Sequence, residues 1–119
     1  MLKPTVFSFD YDNTISRDPE GFLGVMDFLR RRGHTVYVVT ARRPNVYPDD
    51  FNFLLEKGYK VVFTRHISKQ KWMEEVEGIK VDVWVDDCPD AVLNNFHGEP
   101  RTHRDMTDSQ LSIIFSDNP

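Results

Sequence analysis

Four short runs of apolar residues recur along the chain and alternate with amphipathic stretches. The runs are rich in β-branched and aromatic side chains, which is typical of buried strands. They cover Val6–Phe9, Thr35–Thr40, Tyr59–Thr64 and Val81–Val85. Strands that alternate with helices predict a parallel sheet whose crossovers are right-handed. The chain is therefore expected to be an α/β protein with the strand order 3-2-1-4.

The segment after the first run is predicted to be a loop followed by a helix. Residues 16–21 are polar and include Pro and Gly, so a loop is expected there. Apolar residues then repeat with helical spacing from Phe22 to Leu29, and Gly33 follows as a stop signal.

Three shorter helices are predicted further along the chain. Asp49 or Asp50 is expected to cap the first of them. Ser68 is expected to cap the second, and Pro89 fits the first turn of the third, which runs through Leu93.

The sheet is expected to have four or five strands, in the order 3-2-1-4 or 3-2-1-4-5. The fifth would be a short edge strand within residues 98–105, followed by a last helix that Asp108 begins. Residues 1–119 suffice for one domain with its own core, and no linker or repeat divides them. Helices packed on such a sheet predict a three-layer α/β/α domain.

Net charge, cysteine count and the lengths of the apolar runs exclude several classes of protein. The net charge of −4 argues against a generic nucleic-acid or membrane binder, because both would favour a basic surface. Cys88 is the one cysteine, which excludes an internal disulfide. The chain shows no secretory signal and no apolar run of membrane length, so a cytoplasmic protein is expected.

Acidic residues directly follow the first and the fourth predicted strands. These are Asp10 and Asp12 after the first strand, and Asp86 and Asp87 after the fourth. The strand order reverses between these two strands, so their carboxyl ends are predicted to form the binding crevice. Two such charges 4 Å apart repel by about 4 kcal/mol at an effective dielectric near 20, so the site needs a cation. Oxygen ligands favour Mg²⁺, and all four acids are candidate ligands.

These residue types also suit phosphoryl chemistry. Asp10 can attack phosphorus and form an aspartyl phosphate, while Asp12 can act as the acid and base. The hydroxyl of Thr40 can bind a phosphoryl oxygen, and Lys69, with Lys71 as the alternative, can offset its charge. The predicted substrate-binding residues are Thr40, Ala41, Arg42 and Lys69.

Four stretches together resemble the motifs of the haloacid dehalogenase (HAD) superfamily. They are D-Y-D-N-T, V-V-T-A-R, a following lysine and V-D-V-W-V-D-D, and the resemblance spans roughly Val6 to Leu93. The resemblance implies a Rossmann-like fold and a Mg²⁺-dependent phosphatase. It also implies that Asp10 is the nucleophile, that Asp12 is the acid and base, and that the main-chain carbonyl of Asp12 faces the metal. Asn13 is a departure, since the superfamily often has Gly there.

The segments between the motifs leave no room for the cap domain that many HAD enzymes carry. The resemblance then implies an open site for a phosphorylated substrate such as a nucleic-acid end, a nucleotide or a phosphoprotein, or a site closed by a second subunit of a homo-oligomer. Two alternatives stay open, which are phosphotransfer to an acceptor other than water and a non-catalytic binding or regulatory module. Arg42 is by default a solvated charge at the crevice rim, with substrate contact as the alternative.

Overall fold

The computed structural model describes residues 2–95, and its centre is one parallel sheet of four strands. The strands are β1 (Val6–Phe9), β2 (Thr35–Thr40), β3 (Lys60–Phe63) and β4 (Val83–Val85), in the order β3-β2-β1-β4. The predicted α/β class and strand order are therefore confirmed. The predicted fifth strand within 98–105 and the helix from Asp108 lie outside the described residues.

Strand β1 lies inside the sheet, where it pairs with β2 on one side and β4 on the other. Phe9 is opposite Val38 of β2 and opposite Val85 of β4. The pairing extends one residue beyond β1, since the backbone N–H of Asp10 donates to the carbonyl of Val85 over 2.9 Å. This bond fixes Asp10 beside Asp86, as the reversal of strand order predicted.

The first helix, α1 (Pro19–Arg31), begins three residues before the predicted apolar repeat. Its N-cap is Asp18, whose carboxylate accepts from the backbone N–H of Gly21 over 3.0 Å. Pro19 suits the first helical position, where its missing N–H has no partner to lose. The expected loop over 16–21 is therefore wrong for residues 19–21. A short 3-10 turn, Ile15–Arg17, precedes the cap.

The segment before the second helix, α2 (Asn52–Glu56), departs from the prediction. Pro48–Phe51 form a 3-10 turn, and Tyr47 precedes it in a left-handed conformation with no side-chain cap. Neither Asp49 nor Asp50 caps a helix, so that prediction is wrong. The carboxylate of Asp50 instead lies 3.0 Å from the guanidinium of Arg42.

The predicted cap at Ser68 and the predicted place of Pro89 in the first turn of the last helix are confirmed. The two helices concerned are α3 (Lys69–Glu75) and α4 (Pro89–Leu93). The hydroxyl of Ser68 accepts from the backbone N–H of Lys71 and donates to the carbonyl of Val92 over 2.7 Å. The backbone N–H of Ser68 donates to Asn95 over 2.7 Å. The start of α3 is thereby bound to the end of α4.

Two hydrophobic clusters hold the sheet and helices together. One contains Phe9, Ile15, Met26, Val38 and Phe51 among others, and the second is built on Val39, Val62, Met73 and Val81. Successive strand residues point to opposite faces, which is why the neighbours Val38 and Val39 belong to different clusters.

The connections between the strands are short. One 3-10 turn and α1 lie between β1 and β2, and one 3-10 turn and α2 lie between β2 and β3. Within residues 2–95, no helix combines the length and the apolar character needed to cross a membrane.

Candidate active site

A buried lysine joins the carboxyl ends of β1 and β4. The ammonium of Lys69 donates to Asp10 over 2.7 Å and to Asp86 over 2.6 Å. The side chains of Lys69, Asp10 and Asp86 are 2%, 8% and 4% exposed. Lys71, the alternative lysine, is exposed. Of the two predicted lysines, Lys69 is the one that contacts the acids.

The loop between β3 and α3 brings Lys69 to the strand ends. Arg65 and His66 are both left-handed, with φ of 53° and 71°. Each such non-glycine residue costs about 1–2 kcal/mol, so the surrounding contacts must compensate. The backbone N–H of His66 donates to the carbonyl of Ala41 over 3.0 Å, and the hydroxyl of Thr64 donates to the carbonyl of Ile67. These bonds hold a compact turn against the end of β2.

The turn after β1 places a hydroxyl between two acids. The hydroxyl oxygen of Thr14 lies 3.2 Å from Asp10 and 3.3 Å from Asp87. One hydroxyl carries one proton, so Thr14 donates to one of the two carboxylates at a time. Asn13 makes the turn possible by adopting a left-handed backbone with φ of 62°, which Asn tolerates better than most residues.

The acidic cluster (Asp10, Asp86 and Asp87) can hold a metal ion, since ligand oxygens of all three lie within 4.8 Å of one another. The donor set consists of hard carboxylate oxygens, which suit Mg²⁺, Ca²⁺ or Mn²⁺. The ammonium of Lys69 supplies one positive charge beside the three carboxylates of this cluster. The residues therefore fit a hard divalent cation that would balance the excess negative charge.

The pKa values of Asp10, Asp86 and Lys69 depart from their usual values. Burial raises the pKa of Asp10 to about 7, although the nearby ammonium of Lys69 opposes the shift. Burial and the charge of Asp10 raise the pKa of Asp86 to about 6. Burial alone would lower the pKa of Lys69, but Asp10 and Asp86 outweigh it, so this pKa is raised and the ammonium form is held.

The carboxylate of Asp12 is not part of the acidic cluster. Both of its oxygens accept from Arg42, over 2.8 Å from Nε and 2.6 Å from one Nη. The side chain of Arg42 is 1% exposed, so the expectation of a solvated rim charge is wrong. The physical reason is that Asp12 and Asp50 together supply the counter-charge that lets a guanidinium be buried.

Thr40 and Ala41 are buried at the end of β2. The hydroxyl of Thr40 accepts from the backbone N–H of Arg42 over 3.2 Å. Their contact with a phosphoryl group stays a prediction, as do the catalytic and substrate-binding roles of the other candidates.

Two residues near the site were given no catalytic, substrate-binding or metal role from the sequence. Thr14 carries a usable signal, because it follows the second acid of D-Y-D-N-T by two positions. Asp50 carries none, because it lies in an irregular connection and contacts Arg42 only through the fold.

Cys88 has a backbone role at the end of β4. Its N–H donates to a carboxylate oxygen of Asp86 over 2.9 Å, which helps to orient that acid. Burial raises the pKa of the Cys88 thiol, which disfavours the thiolate. The structure therefore supports a role for Cys88 in orienting Asp86, and not a role as a nucleophile.

No family model, curated protein or solved structure matches the chain. The resemblance to the HAD superfamily therefore stays a prediction that rests on the four motifs.

Proposed function

We propose that the chain is a Mg²⁺-dependent phosphatase that acts through an aspartyl phosphate on Asp10. The observation that carries the proposal is the buried group of Asp10, Lys69, Asp86 and Asp87 at the carboxyl ends of two adjacent parallel strands. Burying several acids around one lysine opposes folding, and structures retain such sites where they serve a function. Asp12, the second acid of the first motif, lies two positions beyond Asp10.

In the first step, a carboxylate oxygen of Asp10 attacks the phosphorus of a phosphomonoester. A P–O bond to Asp10 forms, and the P–O bond to the leaving group breaks. Asp12 gives its proton to the leaving oxygen, which departs as an alcohol or a phenol. A proton delivered in this way matters most when the leaving group is a poor one.

In the second step, the Asp12 carboxylate takes a proton from water, and the resulting nucleophile attacks phosphorus. The bond between Asp10 and phosphorus breaks, which releases inorganic phosphate and restores the Asp10 carboxylate. Asp12 is then protonated again for the next turnover. The two roles of Asp12 are thus opposite halves of one proton cycle.

Other residues bind the phosphoryl group and neutralise its negative charge. Lys69 offsets negative charge beside Asp10, and the Thr40 hydroxyl donates to a phosphoryl oxygen. Mg²⁺ held by Asp10, Asp86 and Asp87 would supply Lewis-acid stabilisation of the phosphoryl charge when bound. Thr14 keeps Asp10 and Asp87 close enough to share such an ion.

The short connections after β1 and β2 favour a large substrate or a partner that covers the site. Each connection contains one α-helix and one 3-10 turn. A nucleic-acid end, a nucleotide and a phosphoprotein are the substrate classes that this proposal includes.

The experiment measures phosphate release with Mg²⁺ on an aryl phosphate, mononucleotides, 3′- and 5′-phosphorylated oligonucleotides, a phosphopeptide and sugar phosphates. Asp10→Asn serves as the blank, and Asp90→Asn, at an exposed acid of α4, serves as the matched control. Activity that Asp10→Asn abolishes and Asp90→Asn retains supports the proposal. Absence of release on every substrate, or full activity in Asp10→Asn, rejects it and favours a binding module.

A further inference from the structure

Arg42 is a buried cation whose hydrogen bonds are directed within the protein. Its Nε and one Nη donate to Asp12, and the other Nη lies 3.0 Å from Asp50 and donates to the carbonyls of Val46 and Tyr47. These contacts occupy donors on all three guanidinium nitrogens. With these bonds in place and its side chain 1% exposed, Arg42 presents almost no surface to a phosphate.

The surroundings restrict the guanidinium as well as its hydrogen bonds. The rings of Tyr11 and Phe51 lie 5.2 Å and 4.9 Å from its central carbon. The planar fork of arginine matches a carboxylate with two parallel bonds, which fixes the direction of that carboxylate as well as its distance. Arg42 therefore determines where the Asp12 oxygens lie, while Asp50 and the two carbonyls determine where Arg42 lies.

We infer that Arg42 is a positioning residue that orients the Asp12 carboxylate for proton transfer, and that Asp50 holds Arg42 in place. This inference rests on the proposed function, since it assigns Arg42 a task within that mechanism. It differs from the sequence prediction, in which Arg42 touches the substrate. Neither Arg42 nor Asp50 contacts the reacting atoms in this account.

Dependence on the leaving group distinguishes positioning from substrate binding. A misplaced Asp12 slows the departure of an alkyl alcohol, which needs a proton, far more than the departure of a dinitrophenolate, which does not. Loss of a contact to the phosphoryl group lowers kcat/KM equally for both substrates, because their phosphoryl groups are the same. The ratio kcat/KM reports steps up to formation of the aspartyl phosphate, so it isolates this effect from the hydrolysis step.

The test compares kcat/KM for an alkyl phosphate and 2,4-dinitrophenyl phosphate, with Mg²⁺, in wild type, Arg42→Lys, Asp12→Asn and the double variant. Lysine keeps the charge but cannot form the two parallel bonds. Arg42→Lys is expected to lose about tenfold more on the alkyl than on the dinitrophenyl ester, a part of the 10²–10⁴ that a general acid contributes. In the Asp12→Asn background, the same change is expected to have no further leaving-group effect.

Controls separate the outcomes. Arg31→Lys, at an exposed arginine of α1, is expected to match wild type on both esters. If Arg42→Lys does not fold, as judged by circular dichroism, Asp50→Asn replaces it, with the exposed neighbour Asp49→Asn as its control. An equal loss on both esters, or a leaving-group effect that persists in Asp12→Asn, overturns the inference while the proposed function stands. If the wild type is inactive, or if the Asp10→Asn variant is active, both the inference and the proposed function are overturned.

Discussion

Lys69 and Asp10 lie 59 residues apart in the chain and share a buried hydrogen bond of 2.7 Å. The bond ties the start of α3 to the end of β1. The same ammonium also reaches Asp86 at the end of β4. Three elements that are distant in sequence therefore meet at one nitrogen atom.

Replacing Lys69 by Met tests this junction. The change leaves Asp10 and Asp86 buried without their cation, and breaking a buried pair in this way costs about 3–5 kcal/mol of unfolding free energy. If Asp10 is the nucleophile as proposed, loss of the positive charge beside it is expected to lower kcat by about 100-fold or more. Chemical denaturation and phosphate release measure the two effects. Lys71→Met, two residues on at an exposed position, is expected to change neither, and an equal effect of both variants would contradict the assignment.

Magnesium is expected to raise the melting temperature of the protein through the acidic cluster. A ligand that binds only the folded state stabilises it by about 2.7 kcal/mol at 100 times its dissociation constant. Asp87→Asn is expected to lose this response, although without metal it should be no less stable than wild type, because one of three crowded charges is gone. Asp90→Asn is expected to respond to Mg²⁺ like wild type. The metal site is wrong if Mg²⁺ shifts Asp87→Asn as much as wild type.

Ser68→Ala is expected to lower both stability and activity. The change removes the cap of α3 and leaves the carbonyl of Val92 without its hydroxyl donor, which together cost about 1–2 kcal/mol. Because Lys69 is the first residue of α3, fraying of this turn is expected to reduce the phosphatase rate as well. Thermal denaturation and phosphate release are the measurements. Ser68→Thr keeps the hydroxyl and should restore both, so failure of this rescue would argue against the hydrogen bonds as the cause.

Tyr59 is expected to make stability fall at alkaline pH. Burial, together with its hydrogen bond to Asp27, raises the pKa of Tyr59 above its usual value. Below pH 10 the phenol is protonated in both the folded and the unfolded protein, so its contribution is constant. Above about pH 10 the unfolded chain ionises more readily, so this contribution is lost as pH rises toward the folded pKa.

Tyr59→Phe checks this linkage. The variant is expected to be less stable at pH 8, because it lacks the bond to Asp27, and to lose less stability between pH 9 and 11 than wild type does. Denaturation at each pH gives the two curves. Tyr37→Phe serves as the control and should keep the wild-type slope. The account of Tyr59 fails if Tyr59→Phe declines as steeply as wild type.

Much of the fold and the meeting of Asp10 with Asp86 follow from the sequence. The runs of β-branched and aromatic residues predict β1 and β2 with their observed bounds. The acids that follow predicted strands mark Asp10 and Asp86 as candidate site residues. These predictions succeed because parallel topology brings the carboxyl ends of β1 and β4 to one edge, whatever the intervening loops do. The start of α1 could not be read from apolar spacing, because the cap at Asp18 and Pro19 sets it.

The surroundings of Arg42 were outside the reach of sequence reasoning. An arginine after a strand end is solvated by default. In the folded chain, the carboxylates of Asp12 and Asp50 compensate the cost of burying this guanidinium. Asp50 lies in a connection without a periodic pattern, so nothing in the sequence pairs it with Arg42. The same holds for Arg65 and His66, whose left-handed backbone is set by contacts with the end of β2.

The contact between β1 and β4 also bears on the order of events during synthesis. The backbone N–H of Val6 donates to Asp82, 76 residues away in the chain. Formation of this strand pair therefore closes a long loop, and the entropy cost of that closure makes the pair slow to form. On a ribosome, β1, β2, β3 and Lys69 emerge before β4, the last of these four strands to be translated. Asp10 and Lys69 are therefore both outside the ribosome before Asp86 and Asp87, which complete the acidic cluster. On the proposed mechanism, cation binding by the acidic cluster would then require that β4 has docked, so activity would begin only after the β1–β4 pair has formed.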